Sequence, residues 1–345
     1  MTLDGAVTGT MPGLEGLERL LDGYRGASAY LIPMTAADGR TMLGNNGDRI
    51  MHAVFHRILE RLDIRAVAAP AAADVVIVPP NGALLEVYGF PELLAERLRG
   101  AEGVPLVIFP SSTLFPTRDP AFMFRGRSAE TLWITREKYS FDHLDEQWGL
   151  SLADVGVTLA LDHDVVASGH EFVPELLGGA GSGGGLLVAG RRDKEAADLR
   201  SAGSGSTHGA RASGQASARL LARLKKAVPY GPWYTAAVRR ARRAQLAAAA
   251  DRLLGRLPAE TRAELEHAGR RRDVDLSAVQ YATYDEYRRV LRNADAVVTD
   301  RLHVGLPAAI LGKRVVLVEA GYHKLQGVYE RSLAELPNVE LVGAR

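Results

Sequence analysis

Four short segments combine residue types able to bind anions and move protons. Gly44, Asn45, Asn46, Gly47, Asp48 and Arg49 form a loop ahead of an amphipathic run. Its glycines let the backbone turn tightly and approach a ligand, and its asparagines supply amide donors and acceptors. Asp48 has two readings: an N-cap for the helix that follows, or a general base. Thr299 to Gly305, TDRLHVG, follows the apolar run AVVT. A helix opening there offers backbone N–H groups to an anion, Arg301 adds a planar fork, and His303 adds an imidazole able to hold or release a proton. The bland alternative pairs Arg301 with Asp300 or Asp48 and buries a satisfied imidazole. Gly190 to Glu195, GRRDKE, brings Arg191 and Arg192 to a third such position, as an anion anchor or as a solvated helix start. Ala320 to Tyr329 brings Tyr322, His323 and Lys324 to a fourth.

Lesser candidates are Thr135 to Ser140 (TREKYS), Ser111 to Thr113, Asn81 with Gly82, and Asp162 to Asp164 (DHD). The last has the composition of a divalent-metal ligand pair, but one such cluster is weak and no metal is expected. The loop at Gly44 lacks the third glycine of a dinucleotide fingerprint, which argues against NAD.

Parallel strands joined by crossover helices would position these residues. Short apolar runs alternate with amphipathic stretches throughout the chain. Strands are expected at 29–33, 74–80, 104–109, 132–135, 155–161, 185–190, 279–282, 296–299 and 314–319. Helices are expected at 49–62, 91–99, 136–148, 284–293, 301–311 and 323 to about 336, with two or three more across 219–272. The fold class is therefore α/β: two doubly wound, Rossmann-like parallel-sheet lobes facing a cleft. Ligands of such sheets bind beyond the carboxyl ends of the strands, where each motif falls.

The expected divisions are an N-terminal extension (1–28), a first lobe on the acceptor side (29–177), and a Gly/Ser linker (178–185). A second lobe on the donor side follows (186–320, with a mobile insertion at about 201–217), then a C-terminal helix and tail (321–345) packing back on the first lobe. No internal repeat is visible.

Composition narrows the classes. A chain of 345 residues suits two lobes. The absence of cysteine excludes disulfide scaffolds, thiolate metal sites and cysteine nucleophiles. A net charge of +1 gives no bulk drive toward nucleic acid, so none is expected as a partner. The N-terminal residues do not read as a secretory signal, and no apolar window reaches membrane-spanning length, so the expected location is cytoplasmic. The arginines at 239, 240, 242, 243 and 270–272 read as solvated faces, with peripheral attraction to an anionic membrane as the alternative.

Taken in order, the motifs resemble the polysaccharide pyruvyltransferase family. GNNGDR is similar to its N-terminal G-N-x-G-D signature. FPSST (Phe109 to Thr113), followed by ITREKYS (Ile134 to Ser140), is similar to the middle of its first domain. TDRLHVGLPAAILGKRVVLVE, followed by YHK, is similar to its C-terminal signature. The resemblance runs from about residue 29 to about residue 330, apart from the Gly/Ser-rich segments and the region 201–272.

It implies a fold like that of the GT-B glycosyltransferases, phosphoenolpyruvate as co-substrate with no cofactor, and a pyruvate ketal on a hexose. Arg301, the Leu302 backbone, His303 and either Arg191 or Arg192 would hold the donor. On this reading His303 and Asp48 are the catalytic pair. Gly44, Asn45, Asn46, Gly47, His323 and Lys324 form the loop or meet the acceptor, a sugar or lipid-linked glycan. The alternatives are a GT-B nucleotide-sugar glycosyltransferase and a non-catalytic sugar- or nucleotide-binding protein. The oligomeric state is not legible.

Overall fold

The computed structural model describes residues 10–33, 44–191, 231–319 and 323–343. The first part of the chain runs α1 (Glu15–Leu21), β1 (Ser28–Leu31), α2 (Asn46–Arg61), β2 (Arg65–Val67), β3 (Val75–Val78), β4 (Leu84–Leu85) and α3 (Phe90–Arg97). It continues through β5 (Leu106–Ser111), β6 (Thr113–Leu114), β7 (Thr131–Thr135), α4 (Lys138–Asp154), β8 (Val157–Leu161), α5 (Val165–Ser168) and α6 (Val173–Leu177). After β9 (Leu186–Ala189) come α7 (Pro232–Ala241), α8 (Arg243–Leu254), α9 (Ala259–Glu266), β10 (Arg271–Asp273) and α10 (Tyr284–Asn293). β11 (Ala296–Thr299), α11 (Leu302–Ile310), β12 (Arg314–Val318), α12 (Lys324–Ser332) and β13 (Val339–Val342) complete it.

Two parallel sheets result, six strands in the order β2-β1-β3-β5-β7-β8 and five in the order β10-β9-β11-β12-β13. The central strands are apolar runs buried on both faces, such as Val75–Val78 and Leu186–Ala189, as a parallel sheet covered by helices demands. The order reverses between β1 and β3 in the first sheet and between β9 and β11 in the second. A crevice opens at such a reversal because the helices on either side leave in opposite directions.

Three hydrophobic clusters organise the packing. One lies on the far face of the six-stranded sheet, around Trp133, Phe115 and Phe124. Another covers the far face of the five-stranded sheet, around Val298 and Val316. The largest is shared: Ile50, Val54 and Phe55 of α2 belong to the same cluster as Val304, Leu306 and Tyr287. The inner helices of the first sheet, α2, α5 and α6, thus pack on α11, and α2 and α6 also pack on α10.

Several elements depart from the sequence expectation. Residues 279–282 form turns, and the strand beside β9 is Arg271–Asp273, a short charged edge strand whose composition hides it. β2 is concealed for the same reason, since Arg65 and Ala66 are exposed. The expected helix at 136–148 instead spans Lys138–Asp154, and the last helix ends at Ser332, leaving Val339–Val342 to pair with β12. α12 packs on α4. Within the expected N-terminal extension, Leu14, Leu17 and Leu21 are part of the shared core.

The glycine-rich segment at 178–185 is tied down. Gly181 N and Gly184 N donate to the carbonyls of Arg292 and Asn293, and Gly183 N and Gly185 N donate to the Asp295 carboxylate at 2.8 Å each. Glycine is required at 185, where φ is +73° and a Cβ would meet the Arg270 carbonyl oxygen at 2.1 Å. The insertion expected at 201–217 lies outside the described residues.

Candidate active site

The carboxyl ends of both sheets deliver polar side chains to one junction. Asn45 caps α2: its Oδ1 accepts from Asp48 N at 3.1 Å, and its Nδ2 donates to Asp48 Oδ2 at 2.7 Å. The helix cap is therefore Asn45, and Asp48 sits in the first turn, a correction to the capping reading of Asp48. Asn46 is fully buried and joins the two halves of the chain. Its Nδ2 donates to the carbonyls of Leu276 (3.0 Å) and Ala282 (2.9 Å), and its N–H donates to Ser277 O at 2.7 Å. Those bonds give Asn46 a clamping role and leave it no amide hydrogen for a sugar. Gly44 is exposed at the start of the loop.

Gly47 meets α11. A Cβ there would stand 2.8 Å from His303 Cβ and 2.9 Å from Asn45 Oδ1, so only glycine allows the loop to approach so closely. His303 has non-helical φ/ψ (−83°, 29°), which bends the first turn of α11, and its carbonyl accepts from the Tyr287 hydroxyl.

The other partner of His303 is Asp164. His303 Nε2 lies 3.1 Å from Asp164 Oδ2 and 3.3 Å from Oδ1. The same carboxylate accepts from Arg136 Nη1 at 2.8 Å and, through Oδ1, from Val166 N at 2.9 Å. Burial by itself would raise the Asp164 carboxyl. The charges of His303 and Arg136, with hydrogen bonds from His303 and Val166, outweigh burial and hold it well below the usual carboxylate range. Asp164 is thus an anion throughout the neutral range, facing the His303 imidazole.

Arg136 is wholly buried at the end of β7, and its Nε donates to Ser112 Oγ at 2.8 Å. Its Nη2 is buried and has no hydrogen-bond partner among the described residues. A Cβ built on Gly82 would lie 3.6 Å from that Nη2 and 2.3 Å from Lys324 Nζ. Two cationic groups therefore converge on Gly82, one carrying an unused donor pair. Asp48 closes the group from the other side. Burial raises its carboxyl, while the charges of His303 and Lys324 pull it back part of the way.

Arg301 belongs to a second cluster, at the strand-order reversal of the five-stranded sheet. Its Nη2 donates to Asp275 Oδ2 at 2.7 Å, and its N–H donates to Thr299 Oγ1 at 3.0 Å. Its ion-pair partner here is Asp275, and its charge also acts on Asp300. Asp300 accepts from Arg191 N at 2.8 Å. Burial pushes the Asp300 carboxyl up to about 6, against the opposing pull of Arg301, the Arg191 N–H and the Arg191 charge. Leu302 is buried beside this cluster. Arg192 and Tyr322 lie outside the described residues. His323 stacks on Tyr139, with ring centroids 5.0 Å apart and planes at 22°, and burial lowers its pKa.

The structure brings Gly47, Asp48, His303 and Lys324 together, and groups Arg191, Asp300 and Arg301 around Asp275 at the start of the same helix α11. Arg136 and Asp164 were only lesser candidates in sequence, inside TREKYS and DHD. The usable signal was their position directly after strands; nothing local announced that they would pair. With Asp164 committed to Arg136 and His303, DHD is not a shared ligand set. Asp162 instead faces α1, where a Cβ on Gly16 would lie 2.6 Å from its Oδ1. Among the described residues, no three metal-ligating side chains gather, and no helix is long and apolar enough to cross a membrane.

No protein-family model matches the sequence, and no curated protein matches it. Among solved structures the chain is similar to the crystal structure of an uncharacterised protein from Klebsiella pneumoniae subsp. pneumoniae NTUH-K2044. The TM-score is 0.53 at 14% identity, over 95% of this chain and 97% of that one. At that identity the likeness concerns the fold alone: a mixed α/β architecture of parallel sheets.

Proposed function

We propose that this chain is a ketal-forming pyruvyltransferase with a GT-B-like arrangement of its lobes, moving the pyruvyl group of phosphoenolpyruvate to a hexose. The observation that carries the reading is the junction of an imidazole held by a buried carboxylate with two converging cations. Phosphoenolpyruvate bears a phosphate and a carboxylate, so it needs separate cationic anchors. Arg136, through its unused Nη2, supplies one together with the charge of Lys324, and Arg301 with the first-turn N–H groups of α11 supplies another.

The chemistry follows from the proton inventory. His303, as imidazolium, protonates the methylene carbon of the donor, and the adjacent carbon becomes electrophilic. Asp164 orients the ring and stabilises its charged form. A sugar hydroxyl adds, losing its proton to Asp48. A second hydroxyl displaces phosphate and closes the ketal; its proton is lost to the now neutral His303, and the departing phosphate takes the proton held by Asp48, which restores both residues. Acid–base help of this kind is worth ~10²–10⁴ in rate.

A nucleotide-sugar glycosyltransferase is the second reading. Arg191 and Arg301 stand where the order of the five-stranded sheet reverses, the place where such sheets take nucleotides. One experiment separates the two. The chain is incubated with phosphoenolpyruvate and a panel of hexose glycosides, and in parallel with UDP-sugars, while phosphate, nucleotide and ketal are followed. Acceptor-dependent phosphate release with a pyruvate ketal, lost in His303→Ala, is the expected result. Nucleotide release alone, with phosphoenolpyruvate untouched across the panel, defeats the proposal.

A further inference from the structure

Four arginines outside the candidate site, Arg239, Arg240, Arg243 and Arg271, line one groove. α7 and α8 lie beside the edge strand β10, at the margin of the five-stranded sheet. α7 buries Tyr234, Thr235 and Val238. Its opposite face presents Trp233, Ala236, Ala237 and Arg240 to solvent, at spacings of three, four and seven that place them on one side of a helix. Trp233 is 88% exposed, an unusual position for so large an apolar ring. Next to it, Arg239, Arg240, Arg243 and Arg271 line a groove of about 700 Å³ whose other lining residues are Leu246, Ala247 and Asp273.

Acidic partners account for only part of this charge. Glu286 pairs with Arg239 at 2.8 Å, and Asp251 and Asp273 pair with Arg271 at 2.7 and 2.6 Å. No acidic side chain among the described residues pairs with Arg240 or Arg243. Arg272 is pushed down by burial and then by Arg239 and Arg289, another sign of crowded positive charge. In a chain of net charge +1, this is a local concentration.

We infer that this face docks on an anionic phospholipid surface. Trp233 and Arg240 are about 10 Å apart along α7, at 1.5 Å per residue. A helix lying flat on the bilayer sinks the indole into the boundary between headgroups and acyl chains and leaves the guanidinium groups level with the phosphates. Ala236 and Ala237 keep the contacting side flat. A nucleic acid answers the same charge but gives a projecting indole no apolar layer to enter. The inference is independent of pyruvyl transfer.

The test sediments the full chain with vesicles of phosphatidylcholine containing about one-third phosphatidylglycerol, and with phosphatidylcholine alone, at several salt concentrations. At about 1 kcal/mol for each basic residue near the surface, Arg240→Glu with Arg243→Glu weakens binding to the anionic vesicles at least about tenfold. Trp233→Ala weakens it several-fold, and added salt weakens it in the parent chain. Arg240→Gln with Arg243→Gln serves as a milder second variant, with circular dichroism and thermal midpoints as controls for folding. Equal binding to both vesicle types, no binding to either, or anionic binding unchanged in the arginine variants overturns the inference. Arginine-dependent binding of duplex DNA without vesicle binding overturns it in favour of a nucleic acid.

Discussion

Asp164 shows how much one carboxylate can organise. It carries a buried arginine on one oxygen, caps α5 with the other, and holds His303. Asp164→Asn keeps the shape and removes the charge. Arg136, fully enclosed, then lacks its counter-charge, at a cost of about 3–5 kcal/mol. Turnover is expected to fall ~10²–10⁴-fold with little change in donor KM, because orientation of the imidazole is lost more than binding. Urea denaturation and steady-state kinetics on one preparation separate the two effects; unchanged kcat removes Asp164 from the mechanism. His52 gives a second prediction at this scale. Burial, with smaller contributions from His56 and His303, lowers its pKa to about 4. The unfolded chain takes up this proton near 6.5, so acidification from there toward 4 favours unfolding. His52→Leu removes that penalty. Its stability should fall about 2 kcal/mol less than the parent's between pH 7 and about pH 4.5, read from urea midpoints. The raised Asp162 and Asp300 carboxyls work in the opposite sense over that range, and they do so in both proteins, so the difference isolates His52.

At the scale of elements, the approach of α2 to α11 decides the site. Gly47→Ala places a methyl against His303 Cβ and Asn45 Oδ1. Neither neighbour is the free end of a flexible chain, so α2 or α11 must shift. A destabilisation of about 1–3 kcal/mol is expected, together with a fall in kcat. A fully active, equally stable variant would show that the close contact is dispensable. The central elements were legible because each is self-consistent: Val75–Val78 and Ala296–Thr299 are unbroken apolar runs, and Tyr284–Asn293 carries a capping box at Thr283 and Glu286. β2 and β10 were not, since a three-residue edge strand with arginine at its start has the composition of a loop.

For the whole molecule, the shared core predicts one cooperative transition. Ile50 and Phe55 of the first half belong to the same cluster as Val304 and Leu306 of the second. Tryptophan fluorescence, which in the first half comes from the buried Trp133 and the partly buried Trp148, should therefore coincide with far-UV circular dichroism during unfolding. Asn46→Ala removes two bonds across the halves and leaves the buried carbonyls of Leu276 and Ala282 short of a donor. It should cost about 2–3 kcal/mol and spread the two signals apart. Coincident transitions at an unchanged midpoint would mean that the clamp contributes nothing.

Local pattern by itself determined the alternation of strands and helices, the parallel α/β class and the positions of the polar motifs at strand ends, because burial on both faces of a parallel sheet writes itself into consecutive residues. Tertiary structure decided the partners. Asp164 meets His303 from 139 positions away along the chain, and Arg301 finds Asp275, 26 positions before it. Such pairings depend on how two sheets are held face to face by α2 and α11, a relation carried by no short segment of the chain.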